Sequence, residues 1–149
     1  MRSTSREARE TAYAEFVTAR RTRLRRLAYL LCGDWERAEE VLQSAFTQLY
    51  VAWPRLEREG DEEAFVRRRI VRAAAPVHHR PEVVGEPDTL REAVLALPIK
   101  QRKAVLLHHW LGLSVEQTAE ELGSTASHAQ TQADRGLAAL RTALAREVR

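Results

Sequence analysis

The chain holds one cysteine, Cys32, so no internal disulfide can form. Its neighbours Leu30, Leu31 and Gly33 mark it as a small buried residue rather than a reactive thiol. No apolar run approaches the roughly 18 residues of a membrane span. The arginine-rich start lacks the continuous apolar stretch of a signal peptide. These absences predict a cytoplasmic protein with no membrane association. There is no glycine-rich phosphate loop, no His-Glu-x-x-His and no second thiolate ligand, so neither catalysis nor a cofactor is expected. The pairs His78-His79 and His108-His109 do not suggest a metal site. Adjacent side chains on a helix diverge by about 100°, and no third ligand stands at the required spacing. Glu39-Glu40 and Glu62-Glu63 fall in or near the first turn of a helix, where the helix dipole favours negative charge without any catalytic role. The alternating pattern of a strand is missing throughout, which makes the fold class all-α.

Lysine is also scarce: of 24 basic residues only Lys100 and Lys103 are lysine. An arginine bias suits phosphate recognition by guanidinium forks, and genomic composition explains it equally well. The formal net charge is +3 and is unevenly placed. Residues 1–75 carry 15 arginines against 12 acids, whereas residues 76–149 carry 9 bases against 9 acids. With 149 residues, 44% hydrophobic and 30% charged, the chain fits one medium or two small soluble domains.

Three of the five prolines fall between Pro76 and Pro87, in a stretch with no helical period, which reads as a linker over residues 76–88. Residues 5–75 before it read as three helices. The first runs from about Ser5 to Cys32, with Tyr13, Phe16, Val17, Leu24, Leu27, Ala28 and Leu31 on its apolar side. The second is capped by Asp34 and reaches Trp53 before Pro54, with Ala38, Val41, Leu42, Ala45, Phe46, Leu49 and Tyr50 inward. The third is capped by Asp61 and ends at Ala75, with Phe65, Val66, Ile70 and Ala73 inward. In residues 89–145, Thr89 and Glu92 form a capping box for a helix through Leu97. Pro98 opens another that carries Val105, Leu106 and Trp110 to a turn at Gly112.

The segment from Ser114 to Leu144 has the outline of a helix-turn-helix. Ser114 and Gln117 match a capping box, and Val115, Ala119 and Leu122 share one face. Gly123 supplies the turn. A second helix starts at Thr125 or Ala126 and buries Ala129, Ala133, Leu137, Leu140 and Leu144. Ser127, His128, Gln130, Thr131, Asp134 and Arg135 are left on its front, with side chains suited to base edges and phosphates in a major groove. The alternative is an ordinary helical hairpin with a solvated face. The near-neutral charge of this half implies that another protein supplies part of any DNA affinity.

Taken together, Phe16 to Leu56 and Leu90 to Arg141 resemble bacterial extracytoplasmic-function sigma factors of the sigma-70 type, particularly the actinobacterial kind. The most specific segment is Ala38-Glu39-Glu40-Val41-Leu42-Gln43-Ser44-Ala45-Phe46. It is similar to the family's Ala-Glu-Asp-Leu-Val-Gln-Glu-Ala-Phe helix, which docks on the clamp coiled coil of RNA polymerase's largest subunit. Ala28 to Asp34, Glu63 to Arg68, Leu97-Pro98-x-x-Gln101-Arg102 and Leu113 to Gly123 match in the correct order. The resemblance implies a first domain, residues 5–75, that binds core polymerase and opens DNA at the minus-ten element. It implies a second, residues 89–145, that reads the minus-thirty-five element. Partners would be the clamp and flap of core polymerase, promoter DNA and an anti-sigma factor. Polymerase-binding residues would be Glu39, Glu40, Gln43, Ser44 and Thr47, in a polar strip that also takes in Gln48. DNA-binding residues would be Arg68, Arg69 and Arg72 with Ser127, His128, Gln130, Thr131, Asp134 and Arg135.

Three positions depart from the family pattern. Gln130-Thr131-Gln132 replaces Lys-Ser-Arg and loses two charges. Val71 to Pro76 replaces a longer polar and basic continuation of the third helix. Ser44 replaces a glutamate. The expected function is promoter-specific transcription initiation. The alternative is a sigma-like regulator or decoy that binds polymerase or DNA without melting promoters, and a helical adaptor with no DNA role is the third reading.

Overall fold

The structure, a computed structural model, describes residues 2–74 and 89–147. The proposed linker, His78-His79 and the Ala75-Pro76 stop lie outside the described residues. Every regular element among the described residues is helical: α1 (Arg2–Cys32), α2 (Trp35–Glu59), α3 (Glu62–Ala73), α4 (Thr89–Ala96), α5 (Ile99–Val105), α6 (Val115–Leu122) and α7 (Ala126–Glu147).

Helix α2 organises the first half. Ala38, Val41, Leu42, Ala45, Phe46 and Leu49 recur at the helical period and are all buried. Against them α1 lays Leu24, Leu27, Ala28 and Leu31, and α3 adds Val66, Ile70 and Val71. Asp34 caps α2 by accepting the Glu36 N–H at 2.9 Å. Toward its N-terminus α1 is held by Tyr13, whose hydroxyl donates to the Phe46 carbonyl at 2.7 Å.

Several helix limits and faces differ from expectation. Helix α2 does not stop at Trp53 but continues through Pro54 to Glu59. Trp53 and Leu56 are both buried, and their packing offsets the one backbone bond that proline removes. Tyr50, expected inward, is 49% exposed and stands edge-on to Tyr13, with ring centroids 5.2 Å apart. Asp61 precedes α3 but its side chain makes no cap; its backbone carbonyl alone takes the Phe65 N–H. Helix α3 closes at Ala73, which is exposed, while Val71 takes the inward place assigned to it. Thr89, the first described residue of the second half, is already a helical residue of α4 rather than its cap. After α5 the chain widens into a single π-helical turn over Leu106–Trp110, closed by the Leu111 N–H on the Leu106 carbonyl. Leu106 and Leu107 are buried on this turn, and Trp110 is 39% exposed.

The two halves touch. Val94, Leu97, Val105, Leu106, Leu107 and Leu140 belong to the same buried cluster as the first-half core. Arg102 reaches from α5 to the end of α1, where one Nη donates to the Leu31 carbonyl at 2.6 Å. Its other Nη donates to the carbonyls of Leu95 and Leu97 at 2.6 and 3.0 Å. A cation is favoured there because the last carbonyls of α1 have no partner within their own helix. Burial lowers the Arg102 pKa from its ordinary value, yet an arginine keeps its charge in such a place.

Candidate nucleic-acid interface

The helix-turn-helix is built as its sequence directs. Ser114 Oγ accepts the Gln117 N–H at 3.0 Å while Gln117 Oε1 accepts the Ser114 N–H at 3.0 Å, a reciprocal cap on α6. Gly123 sits at φ 65, a conformation that costs residues with a Cβ about 1 kcal/mol. The following Ser124 N–H returns to the Ala119 carbonyl at 2.9 Å and seals the end of α6. Thr125 is the cap of α7: its Oγ1 accepts the His128 N–H at 3.1 Å and its carbonyl takes the Ala129 N–H.

Helix α7 buries a stripe of small residues, Ala129, Ala133 and Gly136, followed by Leu140. Leu137 and Leu144 are only partly covered. A Cβ on Gly136 would overlap the Val105 side chain, so glycine is what permits α7 to lie this close to α5. On the opposite side Ser127, His128, Thr131, Asp134 and Arg135 are exposed, and Gln130 is half-buried. Gln130 Nε2 donates to Asp134 Oδ1 at 2.8 Å, which ties the two side chains together four residues apart. Thr131 Oγ1 donates to the Ser127 carbonyl at 3.0 Å and retains only acceptor capacity.

In the first half, Arg68, Arg69 and Arg72 project from α3 into solvent, with the Arg69 guanidinium 4.6 Å from the Phe65 ring centroid. Arg72 and the α7 residues His128 and Gln132 line one cleft of about 520 Å³ between the halves, together with Lys100 and Lys103. Burial lowers the Lys103 pKa from its ordinary value.

The polar strip of α2 is exposed at Glu40, Gln43, Ser44, Thr47 and Gln48. Gln48 Nε2 donates to Ser44 Oγ at 3.1 Å, and Glu40 pairs with Arg37 at 3.2 Å. Glu39 behaves differently: Arg21 and Arg25 of α1 both hold its carboxylate, which places it at the α1–α2 seam. Sequence reasoning missed Val51, four residues beyond Thr47 on the same face and 78% exposed. A lone valine after a polar strip was the available signal. It also missed the pair formed by Arg67 and Glu121, which are 54 residues apart and carry no local signature.

The second half is thus a capped helix-turn-helix with a polar front, an arrangement that DNA-reading proteins use to enter the major groove. The comparisons with known proteins give the family. The sigma-70 region 2 model matches residues 16–75 and the sigma-70 region 4 model matches residues 88–140. The chain is 29% identical over 151 residues to the RNA polymerase sigma-E factor of Streptomyces coelicolor, an alignment spanning 89% of this chain and 85% of that protein. It is 28% identical to the sigma-E factor of Streptomyces avermitilis, over 89% of this chain and 84% of that one. A solved structure of the sigma factor RpoE in complex with the anti-sigma factor NepR, from Bartonella quintana, superposes with a TM-score of 0.62 at 19% identity. That superposition covers 89% of this chain and 96% of that chain, a likeness of fold. The chain belongs to the sigma-70 family, as a sigma factor of the extracytoplasmic-function type. Its function is promoter-specific transcription initiation through polymerase binding and DNA recognition.

Proposed function

We propose that the two halves divide this work between named faces. Residues 5–75 bind core polymerase and the minus-ten element, and residues 89–145 read the minus-thirty-five element. The α2 strip of Glu40, Gln43, Ser44 and Thr47, with Glu39 at its edge and Val51 as an apolar anchor, docks on the clamp of the largest subunit. The second half sits on the flap. A helix whose core side is continuously apolar and whose other side is a polar row ending in one exposed valine suits docking on another helical surface. On α7, Ser127, His128, Gln130, Thr131, Asp134 and Arg135 meet the major groove. Arg68, Arg69 and Arg72 meet the DNA near the minus-ten element. The observation that carries this reading is the small-residue stripe of α7, which presses its back against α5 and presents the polar side outward.

The protein works in the cytoplasm as an initiation factor, with the polymerase performing the chemistry. Among the described residues no helix is long and apolar enough to cross a membrane. The RpoE–NepR likeness supports an anti-sigma factor as a further partner. The test is in vitro transcription with purified core polymerase on candidate promoters, read by transcripts and by permanganate reactivity of unpaired thymines. Transcripts with permanganate-reactive thymines are expected. Polymerase binding without melting would instead make the chain a decoy, and the absence of both binding and footprint would overturn the proposal.

A further inference from the structure

A second and larger cleft, about 700 Å³ in volume, lies where α4, α7 and the turn after α5 face the end of α1. None of the residues assigned above to DNA or polymerase lines it.

Its walls are aromatic. On the first-half side Tyr29 and Trp35 stack, with ring centroids 3.9 Å apart and planes 7° apart. The Arg25 guanidinium lies 4.5 Å from the Trp35 ring centroid, so this wall is fixed before anything binds. On the second-half side Leu106, His109 and Trp110 all come from the π-helical turn. Isolated π turns inside helices recur at functional sites, where they redirect side chains that a regular helix would place elsewhere. Among the described residues four large hydrophobic side chains are exposed, and two of them, Leu90 at 51% and Trp110, line this cleft. Single apolar side chains scattered over a surface need no explanation. Two of them bordering one concave apolar space leave area for a ligand to cover.

Charge selects the ligand. None of the described residues lining the cleft is acidic, whereas Arg26 and Arg91 both line it. Arg26 is exposed and makes no ion pair with any described residue. His109 adds no charge at neutral pH, because burial and the neighbouring His108 lower its pKa from the ordinary value.

We propose that this cleft binds a small aromatic carboxylate, its ring against the Tyr29–Trp35 wall and Trp110 and its carboxylate on the Arg26 guanidinium. The volume falls within the roughly 300–1,000 Å³ of small-molecule sites. A flat ring suits these walls better than a flexible chain, since aromatic pairs gain beyond the area they bury and a rigid ligand loses little freedom on binding. A guanidinium receives a carboxylate through two parallel N–H···O contacts, which orients the ring as well as holding the charge. The site gives the chain a chemical input of its own, beyond promoter recognition.

The test titrates the full chain, without DNA or polymerase, with 2-naphthoate and with its neutral isostere 2-naphthamide, read by isothermal calorimetry. Saturable binding of the naphthoate is expected, about tenfold tighter than the amide, as one charge-assisted contact predicts. Arg26→Gln should bring naphthoate affinity down to that of the amide and leave the amide unchanged, whereas a merely structural role would weaken both. Trp110→Ala should weaken both ligands about fivefold. Should Trp110→Ala lose helical circular dichroism, Leu90→Glu, at an exposed position, sets a repelling carboxylate in the same cleft and should abolish naphthoate binding. No saturable heat, or a heat unchanged by these substitutions, overturns the site. Equal affinity for acid and amide overturns the carboxylate assignment and marks the cleft as a seat for an apolar side chain of a protein partner. Promoter-directed transcription is a separate measurement, so none of these results alters the proposed function.

Discussion

Gly136 of α7 lies against Val105 of α5 so closely that a Cβ at that position would overlap the valine side chain and crowd the Gln101 carbonyl, 3.2 Å away. Replacing an interior helical glycine with alanine ordinarily adds about 1 kcal/mol of stability. Here the added methyl must push α7 off α5, and overpacking typically costs about 1–3 kcal/mol. Gly136→Ala is therefore expected to lower stability by about 1 kcal/mol net, read by urea denaturation. A stabilised variant would show that the two helices can part without cost.

The reciprocal cap at Ser114 and Gln117 fixes the start of α6 and thereby the angle at which α7 is presented. Ser114→Ala should cost about 1 kcal/mol and weaken minus-thirty-five binding. Ser114→Asp, which keeps an oxygen acceptor, should retain most of both. Thermal unfolding and fluorescence anisotropy on the same samples check the two effects.

Glu40→Ala with Gln43→Ala should weaken binding to core polymerase severalfold while helical content stays unchanged. The Glu40–Arg37 pair is an exposed contact three residues apart, with Glu40 61% exposed, and such pairs contribute little to stability. Val51→Asp should weaken the same interaction at least as strongly. Surface plasmon resonance against core enzyme measures both; unaltered affinity would remove α2 from the docking surface.

Arg135 is exposed on α7 and is assigned to phosphate, so Arg135→Ala should weaken binding to all sequences and lower the salt slope by about one. His128→Ala and Gln130→Ala should instead erode discrimination between the correct element and a scrambled one. Titrations at several salt concentrations separate the two kinds of loss.

Burial raises the Cys32 thiol pKa from its ordinary value, an effect that the nearby cations Arg37 and Arg102 only partly oppose. The sign follows: this contribution to stability is fully present below the unfolded thiol pKa and is lost as pH rises through the higher folded value. Native protein at pH 8 should react slowly with an aromatic disulfide reagent and quickly once denaturant is added. Rapid native reaction would mean that the end of α1 opens readily.

Much of this molecule could be read locally. The period of α2, the glycine at 123, the Ser114 cap and the polar front of α7 depend on residues within a turn or two of each other, and all appear as expected. The failures are equally instructive. Helix α2 outlasts Pro54 because Trp53 and Leu56 find a core that sequence spacing cannot weigh against a missing hydrogen bond. The π-helical turn at Leu106–Trp110, where the backbone widens by one residue after α5, likewise has no local signature.

The chain's periodicity dictated the helices, their order and most of each apolar face, since those follow from hydrogen bonds and burial along one segment, while residues at the margin of a face such as Tyr50 and Ala73 did not follow it. Where the halves meet was decided only in three dimensions. Arg102 on the end of α1 and Arg67 on Glu121 join residues 71 and 54 positions apart. A guanidinium finds its partner through the packing of whole helices, and no spacing within the chain encodes that meeting.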